Sequence, residues 1–190
     1  SMEESLLVGD HVVVDKLAFA PRTLPWGPLL PRRELRRGDV VVFAGTEDPS
    51  RDFVKRAVAL GGEGVEIRGK KLLVDGVEVP EPYVVHRDPH VFVGEGLPAV
   101  LVGRDALAPR SLPAGTFFAL GDNRDESRDS RSWGPVATGL LRGRALLVYW
   151  SVRPPEEPIS GRSAGVRRAL DVAIHFFSRT RWERTFRSVR

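Results

Sequence analysis

Cysteine is absent from the 190 residues, which excludes disulfides, thiolate catalysis and cysteine-ligated zinc. That absence fits an exported protein. Long apolar runs are missing too. The longest, Ala145–Trp150, falls far short of the roughly 20 residues that a membrane-spanning helix needs, and no signal peptide opens the chain. Lysine is scarce: of 29 cationic residues only Lys16, Lys55, Lys70 and Lys71 are lysines. Arginine keeps its proton in a protein and lysine can lose it, so each lysine is a candidate for proton chemistry. The four histidines are His11, His86, His90 and His175. Pro89 argues against a helix that would bring His86 and His90 onto one face, and no Ser-His-Asp triad can be assembled from spacing. Gly61-Gly62-Glu63-Gly64 lacks the Lys-Ser/Thr of a phosphate loop and reads as a turn. No cofactor or metal is implied.

The net charge of +4 is unevenly placed. Residues 161–190 hold eight arginines against Asp171 and Glu183, leaving 21 basic and 23 acidic groups in the first 160. The main domain therefore carries no nucleic-acid footprint, and no nucleic-acid partner is expected.

Short runs rich in β-branched and aromatic residues dominate. His11–Asp15, Asp39–Phe43, Phe53–Leu60, Thr116–Leu120 and Gly143–Trp150 read as strands. Val65–Arg68 and Lys71–Val74 flank Gly69-Lys70, and Asp75-Gly76 turns the chain into Val77–Val79, a hairpin signal. Residues 80–115, with six prolines, read as an insertion or an irregular excursion. The expected fold is mainly β, built from antiparallel sheet: a catalytic domain over 1–160 with an insertion at about 65–113, then a basic amphipathic helical tail over 161–190. In that tail Val166, Leu170, Ala173, Ile174 and Phe177 recur at helical spacing. It reads either as a helix docked on the core or as an interfacial helix on anionic lipid, where Arg, Trp and Phe are favoured.

Two stretches carry candidate chemistry. Lys55 sits in an apolar run. If strand alternation turns it inward, lost hydration lowers its pKa and makes it a general base; if outward, it is a solvated cation. Residues 122–132 concentrate three Asp, one Glu and three Arg among serines. They read as a loop ordered by Asp–Arg pairs that fixes serine hydroxyls, or as a solvated polar loop.

Four segments resemble the bacterial type I signal peptidases, a family of Ser–Lys proteases. Ser1, Met2, Leu6, Gly9 and Asp10 match its nucleophile motif, Arg37–Phe43 its next strand, Phe53-Val-Lys-Arg56 its general-base segment, and Gly121–Arg131 its signature loop throughout. The resemblance implies that Ser1 is the nucleophile and Lys55 its neutral base, with Ser127 orienting the lysine amine and Asp129 and Arg131 pairing to hold the loop. It implies that Met2, Leu6, Phe53 and Val54 line apolar pockets for small side chains. The substrates would be signal peptides of exported preproteins, cut after a small-x-small site at the outer face of the bacterial cytoplasmic membrane. Glu4 and Ser5 stand where Pro and Thr are usual, and Ala59, Gly61 and Glu63 replace Gly, Pro and Asp. A membrane anchor and an oxyanion-hole hydroxyl that precede the nucleophile in the family are not in this sequence, so it resembles the soluble part of such an enzyme. Membrane contact is expected through that upstream anchor and through residues 161–190. The alternatives are a self-cleaving Ser–Lys protein of the SOS-repressor type and a catalytically inactive peptide-binding β module.

Overall fold

A computed structural model describes residues 1–3, 5–19, 33–94, 96–98, 101–154 and 174–189. Eleven strands are ordered along these residues: β1 Asp10–Asp15, β2 Val40–Ala44, β3 Asp52–Leu60, β4 Gly64–Arg68, β5 Lys71–Val74, β6 Val77–Glu78, β7 Leu107–Ser111, β8 Thr116–Leu120, β9 Val136–Ala137, β10 Leu141–Ser151 and β11 Arg187–Ser188. All pairings between them are antiparallel.

Two sheets result. The larger runs β1-β10-β2-β3-β8-β9, with β11 added to β10; the smaller runs β6-β5-β4-β7. β10 is long enough to serve three partners: β1 on one edge, and β2 and β11 in succession on the other. β3 and β8 lie in the middle of the larger sheet and are covered on both faces. On β8, Phe118 and Leu120 pack with Val65, Ile67, Leu72 and Leu107 of the smaller sheet, while Phe117 and Ala119 pack the opposite way with Val41, Phe43 and Val136. Double coverage explains why Lys55 through Ala59 are all buried: a strand with no wet face has no place for alternating polar residues.

The smaller sheet occupies the stretch read as an insertion. Its hairpins follow from turn chemistry. Gly69 and Lys70, then Asp75 and Gly76, all take positive φ, as two-residue hairpin turns between right-twisted strands require. Within residues 80–115, read as an insertion or an irregular excursion, Leu107–Ser111 forms a strand that pairs with β4. Pro109 hid that strand. It is tolerated because β7 is an edge strand, where a missing N–H costs no ladder bond.

Of the tail expected over 161–190, residues 174–189 are described. Much of the anticipated helix, including Val166, Leu170 and Ala173, lies outside the described residues. The described part contains only one-turn pieces, an α-turn at Phe176–Arg179 and a 3-10 turn at Trp182–Arg184, followed by β11. Val189 packs with Met2, Val40, Ala145 and Val148. Trp150 stacks on Phe176 and donates to the Thr180 hydroxyl at 3.1 Å.

Candidate active site

β3 carries Lys55 and Arg56 side by side, and both are buried. Neighbouring β8 delivers the chain into the loop Gly121–Arg131 directly opposite: Leu120 pairs with Arg56. Arg56 reaches across to this loop and grips Asp122 with two parallel bonds, Nε to Oδ1 at 2.8 Å and Nη2 to Oδ2 at 2.6 Å. The Tyr83 ring covers the same guanidinium at 3.8 Å. A buried arginine needs such satisfaction on every side.

Further along the loop, Asp129 is fully buried. It accepts bonds from the Gly121 N–H at 3.0 Å and from Arg131 Nε and Nη2 at 2.8 Å each. It also caps the one-turn helix Ser130–Trp133. Burial alone would raise the Asp129 pKa, but the Arg131 and Gly121 donors outweigh it and hold the carboxyl below its usual value. Arg131 donates onward to the carbonyls of Arg104 and Arg124. The pair expected between Asp129 and Arg131 thus forms the loop's internal frame.

That frame fixes Ser127. The Lys55 amine donates to Ser127 Oγ at 3.0 Å, and Lys55 is only 3% exposed. Burial lowers the lysine pKa from 10.5 to about 8, a shift that nearby Asp129 opposes and Arg131 assists. Gly121 is required by close packing: a Cβ there would run into the Ser127 side chain and the Ser1 carbonyl.

The opening segment docks on the same loop. The Asn123 N–H donates to the Ser1 carbonyl at 3.0 Å, and Leu6 N–H closes a turn onto the Met2 carbonyl at 2.7 Å. Ser5 donates to Asp122 at 2.5 Å, so the residue that departs from the usual threonine keeps a working hydroxyl. A cleft of about 410 Å³ runs between this segment and β3, and Ser1, Met2, Leu6, Phe53, Val54 and Lys55 all line it. Every residue anticipated as nucleophile, base or apolar pocket wall is therefore in one cleft. Ser1 is exposed at its rim, and no hydrogen bond joins its hydroxyl to Lys55 among the described residues.

Sequence reasoning gave no role to Arg56, Asp122, Glu81 or Tyr83. Glu81 forms a buried pair with Arg124 at 2.8 and 2.5 Å, tying the smaller sheet to the signature loop. Lys70 does the same from its hairpin, donating to Asp125 at 3.0 Å. The signal was present in Arg56 itself, since a charged residue inside an otherwise apolar strand needs a buried partner.

A family model described as signal peptidase, peptidase S26, matches residues 1–150. The chain belongs to this signal peptidase family. Signal peptidase I of Pseudomonas aeruginosa is 32% identical over 183 residues, covering 82% of this chain and 64% of that protein. Signal peptidase I of Leptolyngbya laminosa is 31% identical over 159 residues, covering 80% and 66%. That of Aquifex aeolicus is 29% identical over 202 residues, covering 82% and 74%. This chain therefore spans roughly two thirds to three quarters of those signal peptidases. A solved signal peptidase I of Enterococcus faecalis aligns with a TM-score of 0.45 at 29% identity, over 59% of this chain and 97% of that one. Within the described residues, no helix is long and apolar enough to cross a membrane.

Proposed function

We propose that this chain is the catalytic part of a serine endopeptidase that removes signal peptides from exported preproteins after a small-x-small site. The observation that carries the reading is the Lys55 amine: buried, bonded to Ser127, lowered to about 8 and lining the same cleft as Ser1. Ser1 Oγ attacks the scissile carbonyl while neutral Lys55 takes the hydroxyl proton. The resulting ammonium returns that proton to the leaving amine, and an ester to Ser1 remains. Water, deprotonated by the same lysine, then hydrolyses the ester. Ser127 aims the amine. Asp129 and Arg131 hold Ser127 and do not themselves exchange protons with substrate. Closing the gap between Ser1 and Lys55 falls to substrate binding, since catalytic hydrogen bonds often tighten only in the complex. Met2, Leu6, Phe53 and Val54 narrow the cleft, so that small side chains enter and larger ones clash.

The setting follows from the substrate. A signal peptide's apolar segment lies in lipid, so the cleft belongs at the outer face of the bacterial cytoplasmic membrane. The described tail supports a second contact with that surface: Ile174, Phe177, Trp182 and Phe186 are exposed beside Arg187, a composition suited to anionic lipid.

The test is labelling by a serine-directed acylating inhibitor, read by mass spectrometry as a hydroxylamine-sensitive ester on Ser1, together with cleavage of a signal-peptide substrate. Wild type should label and cleave; Ser1→Ala and Lys55→Arg should do neither. Equal labelling in wild type and Lys55→Arg defeats the mechanism, because a guanidinium stays protonated.

A further inference from the structure

Residues 181–184 lie outside the stretch matched by the family model, yet they reach the segment that carries the nucleophile. Arg184 is buried. Its Nη2 donates to Asp10 Oδ2 at 2.7 Å and to the Ser5 carbonyl at 3.1 Å, while its Nε approaches Asp10 Oδ1 at 3.4 Å. Arg181 donates both terminal nitrogens to the Val8 carbonyl at 3.2 Å and one of them to Ser151 Oγ at the same distance. Two arginines of the tail therefore hold both limbs of the loop formed by residues 5–10.

Asp10 is the hub of this arrangement. It also accepts the Leu7 N–H at 2.9 Å and the Ser151 hydroxyl at 2.5 Å. Leu6, inside the held loop, bonds back to Met2, and Leu6, Met2 and Ser1 all line the cleft. Displacing the loop shifts the pocket wall and the nucleophile together. Ser1 itself is anchored from the other side, through the Asn123 N–H, so the tail and the signature loop grip opposite ends of one short segment.

We propose that Arg184 is a positioning residue for the peptidase reaction, acting through Asp10 and the Ser5 carbonyl to hold the Ser1–Asp10 segment in its productive place. This rests on the serine-peptidase reading above. A misplacement on the order of 1 Å at a nucleophile costs up to about a hundredfold in rate, whereas a purely structural tail would cost stability alone.

The experiment compares wild type, Arg184→Ala, Arg184→Lys and Thr180→Val in the full chain, well below each variant's Tm. Thr180→Val removes the tail's bond to Trp150 without touching residues 1–10. Two readouts are taken: signal-peptide turnover, and amide hydrogen exchange at Leu6 and Leu7. Arg184→Ala should lower kcat about ten- to a hundredfold, speed exchange at Leu6 and Leu7, and leave the pH midpoint of the rate in place, because Lys55 is untouched. Arg184→Lys should recover part of the rate and decides the matter if the alanine variant does not fold. In an Asp10→Asn background, Arg184→Ala should add little further loss. The proposal is overturned if kcat and exchange in the Arg184 variants match wild type. It is equally overturned if Thr180→Val lowers kcat as much, or if the Asp10 and Arg184 losses simply multiply. The exchange readout needs no activity, so wild type that neither labels nor cleaves would count against the peptidase reading, while the Leu6 and Leu7 amides still judge the clamp.

Discussion

Lys55 destabilises the fold in the form that water prefers. Its pKa is lowered from 10.5 to about 8 by burial. Between those values the unfolded chain holds a proton that the folded chain has released, so stability rises with pH across that window. Below about pH 8 the penalty is fully present, and it amounts to roughly 3 kcal/mol. Lys55→Met should therefore raise Tm at pH 7 by several degrees while cutting turnover by about 10²–10⁴-fold, the usual worth of a general base; calorimetry and kinetics on one preparation check both. The same pKa predicts a wild-type rate that climbs about tenfold from pH 7 to a plateau above pH 9, since only the neutral amine is a base. Ser127→Ala, which removes the hydroxyl that accepts from the Lys55 amine, should cost about tenfold. Lys55 stood out as a lysine among arginines in an apolar run, but composition left it facing inward or outward; its role as base, and Ser127 as its partner, were read from the family resemblance. Arg56 escaped notice because its role depends on Asp122, 66 positions away, and spacing along the chain cannot show that meeting.

Between β3 and the signature loop, the strongest tie is the buried Arg56–Asp122 pair. Breaking it from one side leaves a buried charge without its partner, so Arg56→Ala should cost about 3–5 kcal/mol, visible as a lower urea midpoint. The paired replacement Arg56→Met with Asp122→Leu should recover much of that stability and little of the activity, because the loop would lose its register with Lys55. Thermal denaturation and turnover of the two variants distinguish fold from function here. At this scale the central strands were readable within a residue or two, since their composition is unmistakable. β7 was hidden by Pro109, β9 and β11 by being two residues long. In the tail, helical spacing was read across 166–177, most of which lies outside the described residues; after the turn at Phe176–Arg179 the described chain returns alongside the end of β10. Val152 bridges Thr180 and Val148 pairs with Arg187, and nothing in a sequence such as Arg-Thr-Arg-Trp says which distant strand it will lie along.

At the scale of the whole molecule, the described tail has a buried side and an exposed one. Arg181, Arg184 and Val189 face inward, whereas Ile174, Phe177, Trp182 and Phe186 are exposed. Removing the tail outright would disturb both, so point variants are the clean probe of lipid contact. Phe177→Ser with Trp182→Ser should abolish sedimentation with vesicles containing phosphatidylglycerol while leaving cleavage of a short soluble peptide within about twofold of wild type. Binding should weaken with salt, as screening of Arg187 and its neighbours requires. Retained sedimentation of the double variant would remove the tail from the membrane.

The grip of Arg184 on Asp10 also sets a clock. Those residues are 174 positions apart, and Asp10 meets Ser151 across 141. Contacts of that span close late, because a long loop must lose its entropy before any bond rewards it, and sheets built from them fold in milliseconds to seconds instead of microseconds. A chain emerging in order places Ser1 early and must wait for Lys55, then Ser127, then Arg184. Until residue 184 has been made, the proposed nucleophile, base and signature loop would lack the arginine proposed to set them in place, so full turnover would wait on that last contact.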